Sequence, residues 1–347
     1  MQKRKLLILL LLFGTGIGLF FVLRFYQIFF WKNTSFNNEY SFVFIDRDDN
    51  IDSLELQLTP LLRSVNSFRI VAEKKGYVSR VRSGKYRIDK GMGNNKIVNT
   101  LRSAPLTIRV VFNSQDRLEN LAGRISDQIE SDSLELLLAF KEKSFLISAG
   151  FTKENALAMY LPDSYDFFWD VKPEDFRKRM LNHYESFWNK KRRQKASAIK
   201  LKPEEVYVLA SIIQKESFRK EEQNRIAGVY INRLNLGMKL QADPTIIYAL
   251  KKEAKKFDQI IKRVLYKDLQ IKSPYNTYRY KGLPPGPVCM PELSAIEAVL
   301  NPEKHKYLYF VASPLKPGFH LFAKTLKEHN RNKKIYTSWL DKNRLYR

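Results

Sequence analysis

The 347-residue chain carries one cysteine, Cys289. A single thiol excludes an intrachain disulfide framework and a cysteine-rich zinc site. Histidine is scarce too. His183, His305, His320 and His329 are scattered, with no HExxH and no paired ligand spacing. No metal and no cofactor is expected. Acidic residues are outnumbered, 36 Asp and Glu against 61 Lys and Arg, for a net charge of +25. That excess points to an anionic partner: nucleic acid, a membrane surface or an acidic polymer. Disorder is excluded by 44% hydrophobic and 13% aromatic residues, and the length suits two soluble domains. No internal repeat is evident, and one run alone is apolar enough to span a membrane.

That run is Leu6–Leu23, LLILLLLFGTGIGLFFVL, which has no charge and follows Lys3, Arg4 and Lys5. As a helix it covers about 27 Å, close to a bilayer core of roughly 30 Å. Arg24 can snorkel, and Phe25, Tyr26, Phe29, Phe30 and Trp31 resemble an interfacial aromatic belt. A cleaved signal peptide would have a shorter apolar core and small residues at the cleavage site. Aromatics stand there instead, so a retained single-pass anchor is expected. The basic start puts the N-terminus in the cytoplasm and the rest across the membrane, which argues against nucleic acid as the partner.

Beyond the anchor, residues 32–39 read as a polar tether. Tyr40–Ile45 reads as a strand, Ser53–Leu62 as a helix, and Phe68–Ala72 as a strand or helix start. Gly84–Ile88, Asn94–Leu101 and Leu106–Phe112 then read as strand, short helix and β-branched strand. Leu118–Ile129, Ser133–Phe140 and Lys172–Lys191 read as helices. The last runs into the basic cluster Lys190–Arg193, where cations would suit a helix end, and Gln194–Lys202 links it onward. Asp243-Pro244-Thr245 reads as the cap and first turn of another helix. Lys272–Pro291 is rich in Pro and Gly, and a loop of that length in a compact domain is usually functional. Ser294–Leu300 and Lys324–Leu340 read as helices, Tyr307–Ala312 and Phe319–Phe322 as strands.

Pro203–Phe218, PEEVYVLASIIQKESF, holds the most informative residue. Pro203 suits the first helical position, and Glu204 and Glu205 suit the positive end of the dipole. Val206, Leu209, Ile212, Ile213 and Glu216 fall at helical spacing, so Glu216 projects from the apolar stripe. A carboxylate there is costly unless paired or protonated, and desolvation raises its pKa toward the range of a general acid. From the helix alone, a structural carboxylate paired with one of the many cations is an equal reading.

Longer motifs surround it. Leu209–Ser217 reads LASIIQKES, and Ile226–Thr245 reads IAGVYINRLNLGMKLQADPT. Ser273–Pro287 reads SPYNTYRYKGLPPGP, Leu161–Tyr165 reads LPDSY, and Tyr307–Asn330 holds YLYFVA, His320, Phe322, His329 and Asn330. In order and spacing these resemble the endolytic murein transglycosylase family of bacteria, the YceG-like membrane-anchored lytic transglycosylases. The resemblance covers about residues 155–340. Gly84-Lys85-Tyr86-Arg87-Ile88 with Gly91-Met92 resembles the LysM-like subdomain of such proteins, although residues 46–70 and Gly93–Lys96 depart from the pattern.

The resemblance implies an α+β fold: one transmembrane helix, a LysM-like α/β subdomain and a mixed α+β catalytic domain. It implies a tip and anchor over 1–31, a membrane-proximal region over 32–150 with the LysM-like part at about 75–113, and a catalytic domain over 151–347. It also implies cleavage of the β-1,4 bond between N-acetylmuramic acid and N-acetylglucosamine in nascent peptidoglycan strands, leaving 1,6-anhydro ends. Glu216 falls on the family's catalytic glutamate, as general acid and then base. A hydrolytic glycosidase needs two carboxylates; here Glu216 alone has the setting. Asp243 reads as a cap, and Glu221 and Glu222 as a polar turn beyond the helix. Gln241, Tyr275, Asn276 and Tyr278 could hold acetamido and hydroxyl groups, or structure the loop and pack the core. His320 could line the cleft or be structural. Implied partners are peptidoglycan glycan strands and the inner (plasma) membrane, with peptidoglycan synthases as candidate protein partners and no nucleic acid. The alternative is a non-catalytic, membrane-anchored, glycan-binding scaffold of the cell-wall machinery.

Overall fold

A computed structural model of the chain describes residues 2–343. Met1 and residues 344–347, which fall in the expected cytoplasmic tip and catalytic domain, lie outside the described residues. The fold is mixed α+β. The chain divides into two compact units, one of Met1–Val110, Gln128–Ser131 and Tyr165–Lys172, the other of Val111–Asp127, Asp132–Ser164 and Pro173–Arg347.

The first unit opens with α1 (Gln2–Phe30), whose segment Leu6–Phe30 is long and apolar enough to cross a membrane. It is the one such helix among the described residues. Its residues 6–27 are exposed, while Ile28 and Phe29 at its end pack on the core of this unit. The following residues are not a free tether. Asn33 and Thr34 are 6% and 5% exposed. The Asn33 amide donates to Ser64 O at 2.8 Å and Asn94 Oδ1 at 2.6 Å, and Asn94 Nδ2 donates to Ile28 O at 2.8 Å. Polarity here marks a buried hydrogen-bond network that satisfies backbone groups at the helix end.

Next come β1 (Tyr40–Ile45), α2 (Ile51–Leu58), α3 (Val65–Lys74) and β2 (Gly84–Asp89), with α4 (Asn94–Arg102) and β3 (Thr107–Phe112) after them. β1 and β2 pair antiparallel, Tyr40 opposite Asp89 and Ile45 opposite Gly84. The folded unit that holds Gly84–Ile88 therefore starts well upstream of residue 75. Helix α2 begins earlier than Ser53 because Asn50 caps it, accepting from Asp52 N and Ser53 N. Phe68–Ala72 is helix, capped by Ser64. Val43, Ile45, Leu54, Phe68, Tyr86 and Ile97 form its core. Gly93 permits close packing: a Cβ there would lie 2.5 Å from Phe30 O.

In chain order follow α5 (Leu118–Ser126), α6 (Ser133–Phe140), α7 (Lys143–Ser148), β4 (Asp163–Phe168), α8 (Pro173–Phe187), α9 (Lys190–Ala198), α10 (Pro203–Glu216), α11 (Lys220–Asn235), α12 (Asp243–Ala254), α13 (Leu293–Leu300), β5 (Tyr309–Ala312), β6 (His320–Ala323) and α14 (Leu326–Lys342). β3 pairs with β4 and β5 with β6. The expected helix over Lys172–Lys191 is two helices. Asn189 breaks it and caps α9, its side chain accepting from Arg192 N at 3.1 Å. The basic cluster thus opens a helix rather than closing one. Arg192 is satisfied there by Glu297 at 2.8 Å and by the Phe187 ring.

Helix α10 is central rather than one-sided. Every residue from Val206 to Gln214 is buried, and α9, α11, α12 and α13 pack around it. A helix buried on all faces is a core element. It ends at Glu216, two residues before the expected stop, as Ser217 adopts an extended backbone.

Candidate active site

A cavity of about 680 Å³ opens beside the end of α10. Its wall is built by Glu216, by Tyr230 and Arg233 of α11, by Gln241 and Asp243 before and at the start of α12, by Tyr278, by β5, and by His320. All of these belong to the second unit.

Glu216 is part-buried, and its Oε1 accepts a hydrogen bond from the Tyr230 hydroxyl at 2.8 Å. Burial lifts its carboxyl from the ordinary 4.5 to about 7. The Tyr230 hydrogen bond opposes that rise, the charge of Asp243 adds to it, and His320 and Arg233 oppose it. Burial also raises the Tyr230 phenol, which stays a hydrogen-bond donor. Arg233 is anchored in the wall: Nε donates to Leu308 O at 2.6 Å and Nη1 to Leu240 O at 2.7 Å. Burial depresses its pKa.

Asp243 does not cap its helix. The cap position is Ala242, and Asp243 is the first helical residue, exposed on the cavity wall. Its Oδ1 accepts from the Tyr278 hydroxyl at 2.5 Å. Pro244 shifts the register: with no N–H of its own it takes a first-turn position, and Thr245 Oγ1 donates to Ala242 O at 2.7 Å. Glu222, expected in a polar turn, is 4% exposed. Its two oxygens meet His320, Oε1 at the backbone N–H (2.9 Å) and Oε2 at Nδ1 (2.7 Å).

The structure therefore brings Gln241, Tyr278 and His320 together with Glu216 in one cavity. Gln241 holds a left-handed backbone, φ +52°, and donates its N–H to Thr277 O. Tyr275 and Asn276 lie elsewhere. Tyr275 is 1% exposed and packs on Tyr248, with ring centroids 4.6 Å apart. Asn276 is fully buried. Its Nδ2 donates to Leu269 O and Ile271 O, and its Oδ1 accepts from Tyr278 N and Arg279 N. Both residues build the loop that carries Tyr278. Sequence reasoning passed over Tyr230, Arg233 and Asp243 as wall residues. Tyr230 and Arg233 stand inside the Ile226–Thr245 motif with nothing to mark them out, and Asp243 resembles a cap. Cys289 takes no part: it is buried, and desolvation pushes its thiol up to about 12.

A family model described as the YceG-like family matches residues 43–335. The chain belongs to the YceG-like family. A Bacillus subtilis protein named endolytic murein transglycosylase is 33% identical over 304 residues, which is 82% of this chain and 80% of that protein. A Streptococcus pneumoniae protein of the same name is 28% identical over 85% of this chain, which spans 58% of that relative's length. The crystal structure of a YceG-like protein from Listeria monocytogenes aligns with a TM-score of 0.56 and 27% identity, over 85% of this chain and 99% of that one.

Proposed function

We propose that this chain is a peptidoglycan lytic transglycosylase, with Glu216 as general acid and then general base. The observation that carries the reading is a carboxyl lifted to about 7, held by Tyr230, on the wall of a cavity large enough for sugar rings. The names of the family relatives support the substrate class.

In the reaction, protonated Glu216 gives its proton to the oxygen of the leaving N-acetylglucosamine as the C1–O bond breaks. The C6 hydroxyl of the N-acetylmuramic residue then bonds to its own C1. Its proton passes to the Glu216 carboxylate, which restores the starting acid, and no water is consumed. A tethered nucleophile needs no second molecule to be gathered, a large entropic advantage. A pKa near 7 suits a group that must both give and take a proton at neutral pH. Gln241, Tyr278 and His320 are the polar wall residues for acetamido and hydroxyl groups.

The same reading makes Leu6–Phe30 a membrane anchor with a cytoplasmic N-terminus and places the catalytic domain, 151–347, outside the cytoplasm. The basic surface then faces stem-peptide carboxylates and anionic headgroups. The LysM-like character of about 75–113 and recruitment of peptidoglycan synthases belong to this proposal as well. Asp243 in the same cavity favours one rival, a two-carboxylate hydrolase. Product mass decides between them. Purified protein in detergent, incubated with glycan strands, is expected to release 1,6-anhydro ends, and Glu216→Gln to abolish them. Products heavier by one water would establish the hydrolase.

A further inference from the structure

The Glu216 cavity holds a second carboxylate. We propose that Asp243, aligned by Tyr278, stabilises positive charge at the anomeric carbon while Glu216 handles the protons. The proposal rests on the lytic transglycosylase reading above.

The two carboxyl groups share a cavity but not an environment. Glu216 ends its helix, part-buried and hydrogen-bonded by the Tyr230 hydroxyl. Asp243 begins its helix, solvated on the cavity wall. A first-turn position places a negative charge near unpaired backbone N–H groups, where the helix dipole favours it. The Tyr278 hydroxyl binds Oδ1 at 2.5 Å, and among the described residues none hydrogen-bonds Oδ2. Tyr278 is itself set by the buried Asn276, whose Oδ1 accepts its backbone N–H at 2.9 Å. Such rigging orients a carboxylate whose position matters. A part-buried acid facing an exposed carboxylate is the division of labour that glycosidic cleavage uses.

The step balances without a covalent bond to Asp243. The C1–O bond breaks as Glu216 protonates the leaving oxygen, and positive charge spreads over C1 and the ring oxygen. Asp243 offsets that charge through space. The C6 oxygen closes on C1, and its proton goes to Glu216.

Because the charge of Asp243 also acts on Glu216, removing it has a pH signature. The other groups acting on Glu216 are Tyr230 and Arg233 on α11 and His320 on β6. Arg263, Tyr266, Tyr278, Tyr309 and, on α14, His329 and Lys333 complete the ionisable wall. None of these changes in the isosteric variant Asp243→Asn.

The test is steady-state kinetics of the full-length protein in detergent on glycan strands, against pH, with product masses, for wild type, Glu216→Gln, Asp243→Asn and Tyr278→Phe. Asp243→Asn is expected to lower kcat about 100-fold with KM little changed, a loss typical of a removed charge stabiliser. Its residual product stays anhydro, and its alkaline limb moves to lower pH. Tyr278→Phe is expected to lower kcat about tenfold. Wild-type kcat and an unmoved alkaline limb in Tyr278→Phe overturn the alignment by Tyr278. Near-wild-type kcat in Asp243→Asn, with Glu216→Gln inactive, overturns the role of Asp243. An active Glu216→Gln instead overturns the parent reading. If Asp243→Asn fails to fold, the Tyr278→Phe kinetics decide alone.

Discussion

Glu222 and His320 form a buried carboxylate–imidazole pair, joined at both carboxylate oxygens by contacts of 2.9 and 2.7 Å. The pair ties the first turn of α11 to the first residue of β6, and so fixes one wall of the cavity to the helix that carries Tyr230. An exposed pair would contribute little; here the Glu222 side chain is only 4% exposed. Glu222→Gln keeps the shape but removes the charge and one of the two acceptor oxygens that meet His320. The expected cost is about 1–3 kcal/mol, read as a lowered urea midpoint with an unchanged m-value. A midpoint equal to wild type would show that the pair holds nothing together.

Tyr230 bears on Glu216 in a sense that pH can read. Its hydroxyl stabilises the charged carboxylate and so opposes the rise caused by burial. Tyr230→Phe removes that stabilisation and leaves the ring packed against Phe310. The Glu216 pKa is expected to rise above about 7, so the alkaline limb of kcat/KM moves to higher pH. Loss of activity without that movement would assign Tyr230 to substrate contact instead. Asp243→Asn shifts the same limb the other way, so the two variants check one another.

The raised carboxyl also costs stability, and the sign follows from proton linkage. Folded Glu216 holds its proton up to about 7, whereas the ordinary value is 4.5. Between those values the folded state binds the proton more tightly, so stability is lost as pH rises through this window and then levels off. Glu216→Gln removes the dependence. The variant is expected to be more stable than wild type at pH 8 by roughly 1–3 kcal/mol, and about equal at pH 4. Thermal melts at the two pH values measure it. A gap that does not grow with pH would contradict a raised pKa for Glu216.

Much of this was legible along the chain, and the exceptions have a common cause. Short strands and helices with local signals came through: β1, β2, α4 and α6 stand where alternation and spacing put them. Pro203 opens α10 as its rigid φ requires. What failed was long-range burial. Asn33 and Glu222 are polar residues in polar stretches, and nothing local shows that Asn94 and His320 close over them. Asp243 has the composition of a cap, but a cap is a backbone geometry, and the turn at Ala242 took it one residue earlier. Within the site, Gln241, Tyr278 and His320 share the cavity with Glu216, whereas Tyr275 and Asn276 lie inside the loop. Neighbours on one Pro/Gly-rich loop alternate between facing a cavity and holding the loop together, and residue type does not separate those tasks.

Helix α11 holds the segment before β5 by side-chain hydrogen bonds to its carbonyls, and at Gly228 the two approach closely. A Cβ there would lie 2.5 Å from Glu303 O and 2.7 Å from His305 Nε2. Around it, Asn224 Nδ2 donates to Asn301 O at 2.7 Å, and Asn232 Nδ2 donates to His305 O at 2.9 Å and Tyr307 O at 3.1 Å. Arg233 then takes Leu308 O at 2.6 Å. One face of one helix thus lays out residues 301–308, and β5 enters the cavity wall directly after them. Gly228→Ala forces the backbone of Glu303 away, because a carbonyl in a satisfied network cannot swing aside as a side-chain tip can. The expected destabilisation is about 1–3 kcal/mol, despite the better helix propensity of alanine. Activity is expected to fall further than stability accounts for, since Tyr309 and Phe310 move with the strand. Comparing the denaturation midpoint with kcat at a temperature where the variant is fully folded separates the two effects, and a stabilised, fully active Gly228→Ala would refute the close approach.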